Sequence, residues 1–167
     1  MATVRSVLIL STLALATGLA TAGPGLTTAE LRVAYGLAAG GGAGRSTLRG
    51  TPLVLTAGAS LAIRDRPPTS AYVAMVVETL DRTGAGGEAG VLLTPTTRTR
   101  LRAGAVAIVA PYTIWGAAVG GGVCWPVGGV RTCADITADV LVGGTDLPAG
   151  AAVLQLLLGV GVVFDAD

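Results

Sequence analysis

Between Arg131 and Gly143 the chain alternates without a break. Thr132, Ala134, Ile136, Ala138, Val140 and Val142 fall on one parity; Arg131, Cys133, Asp135, Thr137, Asp139 and Leu141 fall on the other. A period of two predicts a β-strand with two unlike faces. The pattern recurs along the chain. Leu31, Val33, Tyr35 and Leu37 oppose Glu30, Arg32, Ala34 and Gly36, and Leu53, Leu55, Ala57, Ala59, Leu61 and Ile63 oppose Val54, Thr56, Gly58, Ser60, Ala62 and Arg64. A weaker run covers Ala71–Arg82, with Tyr72 and Glu78 on its polar parity, and another covers Ala89–Leu101, with Arg98 and Arg100 on its polar parity. In the last run, Leu154, Leu156, Leu158, Val160, Val162 and Phe164 oppose Gln155, Leu157, Gly159, Gly161 and Val163.

Glycine- and proline-rich turn signals stand between the runs, at 40–44, 66–68, 83–87, 127–129 and 143–148. Short connections between strands predict antiparallel hairpins with no helical insertion. Seven runs are clear. The long Ala/Gly/Val stretch Arg102–Val123 has no polar face, and splitting it at Ala110-Pro111, where proline would interrupt a ladder, makes eight.

Composition decides which face looks inward. The chain is 51% hydrophobic and 13% charged; about a quarter charged is usual for a soluble protein. With the apolar parity inside, the outer surface would be Ala, Gly, Ser and Thr with one or two charges per strand, too few for a face in water. Inverted, the Leu/Val/Ile parity meets lipid and the small and charged residues fill a lumen. The runs are long enough for tilted transmembrane strands, and a closed barrel satisfies every backbone group in lipid. The expected fold is therefore all-β, an antiparallel up-and-down transmembrane β-barrel of about eight strands. Two other readings compete. Ala103–Val130 and Leu147–Phe164 carry no charge and are long enough for membrane helices. A soluble exported β-sandwich, or a barrel acting as a binding module, would keep the apolar parity inside.

The N-terminus carries Arg5, an apolar Val7–Leu15 segment and the small-x-small site Ala20-Thr21-Ala22. It reads as a secretory signal peptide over residues 1–22, leaving a barrel domain over 23–167. Export suits Cys124 and Cys133, read as a single disulfide. The net charge of +1 offers no basic surface for nucleic acid. The chain has no histidine, which removes Ser-His nucleophiles and imidazole metal ligands. No catalytic, cofactor or metal site is read. Gly40–Thr47 has the composition of a phosphate loop but not its spacing, and reads as a hairpin loop.

In this pattern the sequence resembles the small outer-membrane β-barrels, the eight-stranded OmpX and OmpA-barrel class. The resemblance covers the whole chain after residue 22. The final run, QLLLGVGVVF, is similar to the terminal strand of that class, although Asp165-Ala166-Asp167 follows Phe164. Tyr35, Tyr72, Trp115 and Phe164 would supply a thin aromatic girdle. The resemblance implies a bacterial outer-membrane location, with the lipid bilayer as partner and other envelope proteins reached through the loops.

Glu30, Arg32, Arg64, Glu78, Arg98, Arg100, Asp135 and Asp139 share the lumen parity. Four arginines balance four carboxylates, and buried charges must be paired. A salt-bridged plug is expected, with Asp135 and Asp139 meeting Arg98 and Arg100. The function expected is non-enzymatic, a structural or interaction role or a subunit of an envelope assembly. A narrow channel for ions or small solutes is the alternative. A lipid-modifying barrel enzyme ranks third.

Overall fold

The computed structural model describes residues 25–42, 45–63, 68–79 and 83–166. The leader read over residues 1–22 lies outside the described residues, as does Arg64. Among the described residues nine strands follow one another: β1 (Leu26–Gly42), β2 (Arg45–Gly50), β3 (Leu53–Ala62), β4 (Thr69–Thr79), β5 (Gly84–Leu93), β6 (Thr99–Ala110), β7 (Ile114–Val127), β8 (Val130–Gly143) and β9 (Ala152–Asp165). From β3 on, each pairs antiparallel with the next, and β9 closes on β1 from Thr28↔Asp165 to Gly41↔Ala152.

β2 and β3 are two halves of one stave. Both pair with the same edge of β1, β2 with Leu37–Gly42 and β3 with Leu26–Ala34. The break falls at Thr51-Pro52, where proline has no N–H to give the ladder. Thr51 repairs it: its N–H donates to the Gly36 carbonyl at 2.9 Å, and its hydroxyl accepts from the Gly36 N–H at 2.8 Å. The molecule is thus a closed eight-staved antiparallel barrel.

The register fixes its shape. Following register partners from Ala38 through Gln155, Asp139, Ala118, Gly104, Gly90, Tyr72 and Ser60 returns to β1 at Thr28, ten residues from the start. A stagger of this kind tilts the strands and leaves an interior that side chains fill.

The split expected at Ala110-Pro111 is present: β6 ends at Ala110 and β7 begins at Ile114. Gly128 and Gly129, at φ 58° and 87°, form the two-residue β7–β8 turn, as a type I′ hairpin requires. The stretches weighed as membrane helices are strands. Three boundaries differ from the sequence reading. The 83–87 signal lies almost wholly inside β5, and the 40–44 signal lies mostly inside β1. The run Ala89–Leu101 is two strands joined by a turn at Thr94–Arg98. Glycine-rich segments pass for turns by composition, but paired on both sides they extend.

Large apolar side chains cover the outer wall, among them Leu154, Leu156, Leu158, Val160 and Phe164 on β9 and Ile136, Val140 and Val142 on β8. Leu158 is 64% exposed. Tyr72 departs from the expected girdle: it is buried in the lumen, and Tyr35, Trp115, Trp125 and Phe164 are the exposed aromatics. Inside, an apolar cluster including Val54, Val76, Ile108, Ile114, Leu141 and Leu157 fills the end of the barrel away from the termini. Cys124, Cys133 and Val163 pack at the end near the termini.

Candidate functional site

Between those two apolar packings lies a belt of charged and hydroxylated side chains. Arg32 on β1 reaches Asp135 on β8 by Nε–Oδ1 at 2.8 Å, Nε–Oδ2 at 3.0 Å and Nη2–Oδ1 at 2.5 Å. Arg100 on β6 crosses to Glu30 on β1 at 2.5 Å. Arg102, also on β6, lies 3.8 Å from Glu88 on β5. Thr137 joins two of these pairs. Its hydroxyl oxygen accepts from Arg32 Nη2 at 2.9 Å and from Arg102 Nη2 at 2.7 Å, and its proton points to Asp135 Oδ1 at 3.4 Å. Tyr72 donates to Glu88, and Tyr112 donates to Glu78.

Small residues make room for this network. A Cβ on Gly159 would stand 2.5 Å from Arg32 Nε, and one on Gly120 would stand 3.2 Å from Arg102 Nε. The lumen-facing glycines of β7 and β9 are therefore the cavities into which guanidinium groups fit. Toward the termini, the Ser60 hydroxyl bonds the hydroxyls of Thr27 at 2.7 Å and Thr28 at 2.6 Å. At that mouth Arg131 Nε donates to Asp165 at 2.9 Å.

Six of the sequence-derived network residues, Glu30, Arg32, Glu78, Arg100, Asp135 and Asp139, lie on the lumen side of the wall. Arg98 does not: it sits in the exposed turn Thr94–Arg98, because the alternation of its run continues through a loop. The expected pairing also changes. Asp135 meets Arg32, and Arg100 meets Glu30. Asp139, only 8% exposed, has no hydrogen bond or ion pair among the described residues. Glu88 and Arg102 were missed, although Arg102 shares its parity with Arg100. The balance of four against four gives way to five carboxylates, Glu30, Glu78, Glu88, Asp135 and Asp139, facing Arg32, Arg100 and Arg102 among the described residues.

Cys124 and Cys133 are register partners on β7 and β8, joined by an S–S bond of 2.06 Å. Both sulfurs lie inside the barrel, against Val163. Beyond the strands, Asp146 in the β8–β9 connection accepts from the Thr113 N–H at 2.6 Å and from the Thr145 hydroxyl at 2.9 Å. Those bonds, the Thr113 N–H first, hold its carboxyl below the usual range.

Among the described residues, a cavity of about 410 Å³ opens at the mouth near the termini, lined by Thr28, Ser60, Arg131 and Asp165. Deeper, among Glu30, Arg100 and Arg102, two cavities of about 20 Å³ each have room for about one water molecule apiece. No group of three or more His, Cys, Asp or Glu side chains is placed to hold a metal among the described residues.

These features define a small eight-stranded antiparallel barrel with an apolar outer wall and a charged, filled lumen. No family model matches the chain, and no curated protein matches it. Among solved structures it is similar to Ail, the attachment invasion locus protein of Yersinia pestis, at 12% identity over 83% of this chain and 99% of Ail, with a TM-score of 0.49. It is also similar to Neisserial surface protein A, at 14% identity over 80% of this chain and 96% of that one, with a TM-score of 0.46.

Proposed function

We propose that the protein is a non-enzymatic barrel of the bacterial outer membrane with a sealed lumen, acting as a structural or interaction component of the envelope. One observation carries this reading: the charges are enclosed while the large apolar residues are exposed. A soluble barrel has the opposite arrangement, because exposed apolar area costs free energy in water. In a bilayer the outer wall is solvated by acyl chains, and the network is shielded from them.

The packing favours a plug over the channel alternative. The Arg100–Glu30 pair crosses the lumen, Thr137 ties the other two pairs together, and the apolar cluster closes the end opposite the termini. A conducting path needs a continuous column of water, and the two cavities deep among Glu30, Arg100 and Arg102 hold about one molecule each. Two measurements test the proposal. The folded protein extracted from outer membranes should run faster on gels unheated than boiled. Reconstituted in a planar bilayer, it should carry no steady current. A stable, ion-selective conductance would replace the plug with the channel.

A further inference from the structure

Cys124 and Cys133 are 1% and 3% exposed, and what covers their sulfurs comes from strands distant in the chain. Val163 of β9 packs against both cysteines and is itself fully buried. Arg100 of β6 places Nη1 3.8 Å from the Cys133 sulfur, while its Nη2 holds Glu30 of β1 at 2.5 Å. Glu30 and Val163 are register partners where β1 meets β9. The cover over the bridge is therefore fastened at the seam that closes the wall. The cavity beside the sulfurs, about 20 Å³, admits about one water molecule and no larger reagent.

The bridge itself is local. Its cysteines are nine positions apart and are register partners, with Gly128-Gly129 turning the chain between them. The Cys124 N–H bonds the Arg98 carbonyl at 2.7 Å, on the side away from β8. Cys124 and Cys133 are thus a pair without mutual backbone hydrogen bonds, the kind at which opposed side chains stand closest. They meet as soon as the β7–β8 hairpin forms, and a hairpin takes about 1–10 μs. Pairing β9 with β1 brings the two ends of the barrel domain together, and contacts so distant in sequence form more slowly.

We propose that the Cys124–Cys133 bridge is made on the open chain, by exchange with a disulfide-bearing oxidant, and that closure of the β1–β9 seam then seals it against further thiol chemistry. In the open chain one cysteine thiolate attacks the oxidant's disulfide, forms a mixed disulfide and displaces one oxidant sulfur as thiolate. The second cysteine thiolate then attacks the chain's own sulfur in that mixed disulfide and releases the other oxidant sulfur. The two cysteines give up two electrons and two protons, and the oxidant's disulfide takes them up as two thiols. In the closed barrel either step would bring an outside sulfur to Cys124 or Cys133, where Val163 and Arg100 stand. The inference goes beyond the envelope role and rests on the closed wall, not on where the barrel resides.

The test uses the full chain, with oxidised glutathione as the probe. Reduced chain is transferred from urea into detergent micelles, and the probe is added after increasing delays. The bridged fraction is read by mass after free thiols are alkylated, and folding is followed by circular dichroism. Capacity to form the bridge should fall with delay at the rate at which β-sheet appears. Once folded, the reduced barrel should oxidise about a hundredfold or more slower than the same chain in urea, because access then requires opening of the wall. If the reduced chain does not fold, the oxidised barrel is treated with dithiothreitol instead, and its bridge should be cleaved slower than in urea by the same factor. A smaller ratio in the arm that applies overturns the proposal, as does bridging that continues undiminished after the sheet has formed.

Discussion

Arg32 and Asp135 are 103 residues apart in sequence and meet inside the barrel through two guanidinium nitrogens, Nε at 2.8 Å and Nη2 at 2.5 Å from the same carboxylate oxygen. They are not on adjacent strands: β9 lies between β1 and β8. The Arg32 side chain is 2% exposed. Only a glycine at position 159 lets it lie across β9 to its partner.

Removing one member of such a pair strands the other, which typically costs about 3–5 kcal/mol when burial is complete. Asp135→Ala should therefore destabilise the barrel more than the double change Asp135→Ala with Arg32→Met. Asp139 has no ion pair among the described residues, and Asp139→Asn should cost about 1 kcal/mol or less by the same logic. Urea unfolding of the four proteins in one lipid settles the ranking. If Asp139→Asn is the most damaging, Asp139 holds a contact that the structure does not display.

Leu158 stands on the outer wall of β9. Leu158→Arg should cost about 2–4 kcal/mol if the position lies near the bilayer midplane, and less near an interface. A nitroxide at the same position should be quenched by oxygen, which partitions into lipid, rather than by a water-soluble nickel complex. The reverse quenching pattern would favour the soluble barrel.

Cys124 and Cys133 close a short hairpin segment. Reduction should cost about 2–3 kcal/mol on the chain-entropy account and leave the barrel folded, since the ladder around the pair is complete on both strands. Thiol labelling of unfolded, unreduced protein should detect no free sulfhydryl. Two reactive thiols there would remove the bridge from the native state.

Asp146 gives the β8–β9 connection a pH dependence. Its folded-state pKa is depressed, chiefly by the Thr113 N–H. The bond therefore stabilises the connection at pH values above the unfolded carboxylate range and is lost as pH falls through the folded value. The protection factor of the Thr113 amide, its exchange rate relative to the unprotected rate at each pH, should be high at neutral pH and fall in acid, and Asp146→Asn should flatten that response. An unaltered profile in Asp146→Asn would assign the pH dependence to another group.

Some of this molecule can be read directly from the order of its residues. β8 and β9 alternate cleanly, and both faces of each lie where alternation puts them. Proline at 111 marks a strand end. At Thr94–Arg98 the same reasoning fails, since polar residues alternate through a turn as easily as along a strand, and Arg98 left the lumen with that turn. β2 had no apolar parity at all. It became a strand because β1 offered it an edge.

The sequence by itself determined the two unlike faces, the antiparallel order and the need for an inverted barrel, because side-chain direction in a strand depends only on parity and the scarce charges of the strands fall mostly on one parity. The tertiary structure decided which charge meets which. A ten-residue stagger around the closed wall sets the heights of Arg32 and Asp135, of Arg100 and Glu30, and of Arg102 and Glu88, and among the described residues it leaves Asp139 without an ion pair. Stagger is a property of closure, the sum of every strand's register, and no single strand contains it.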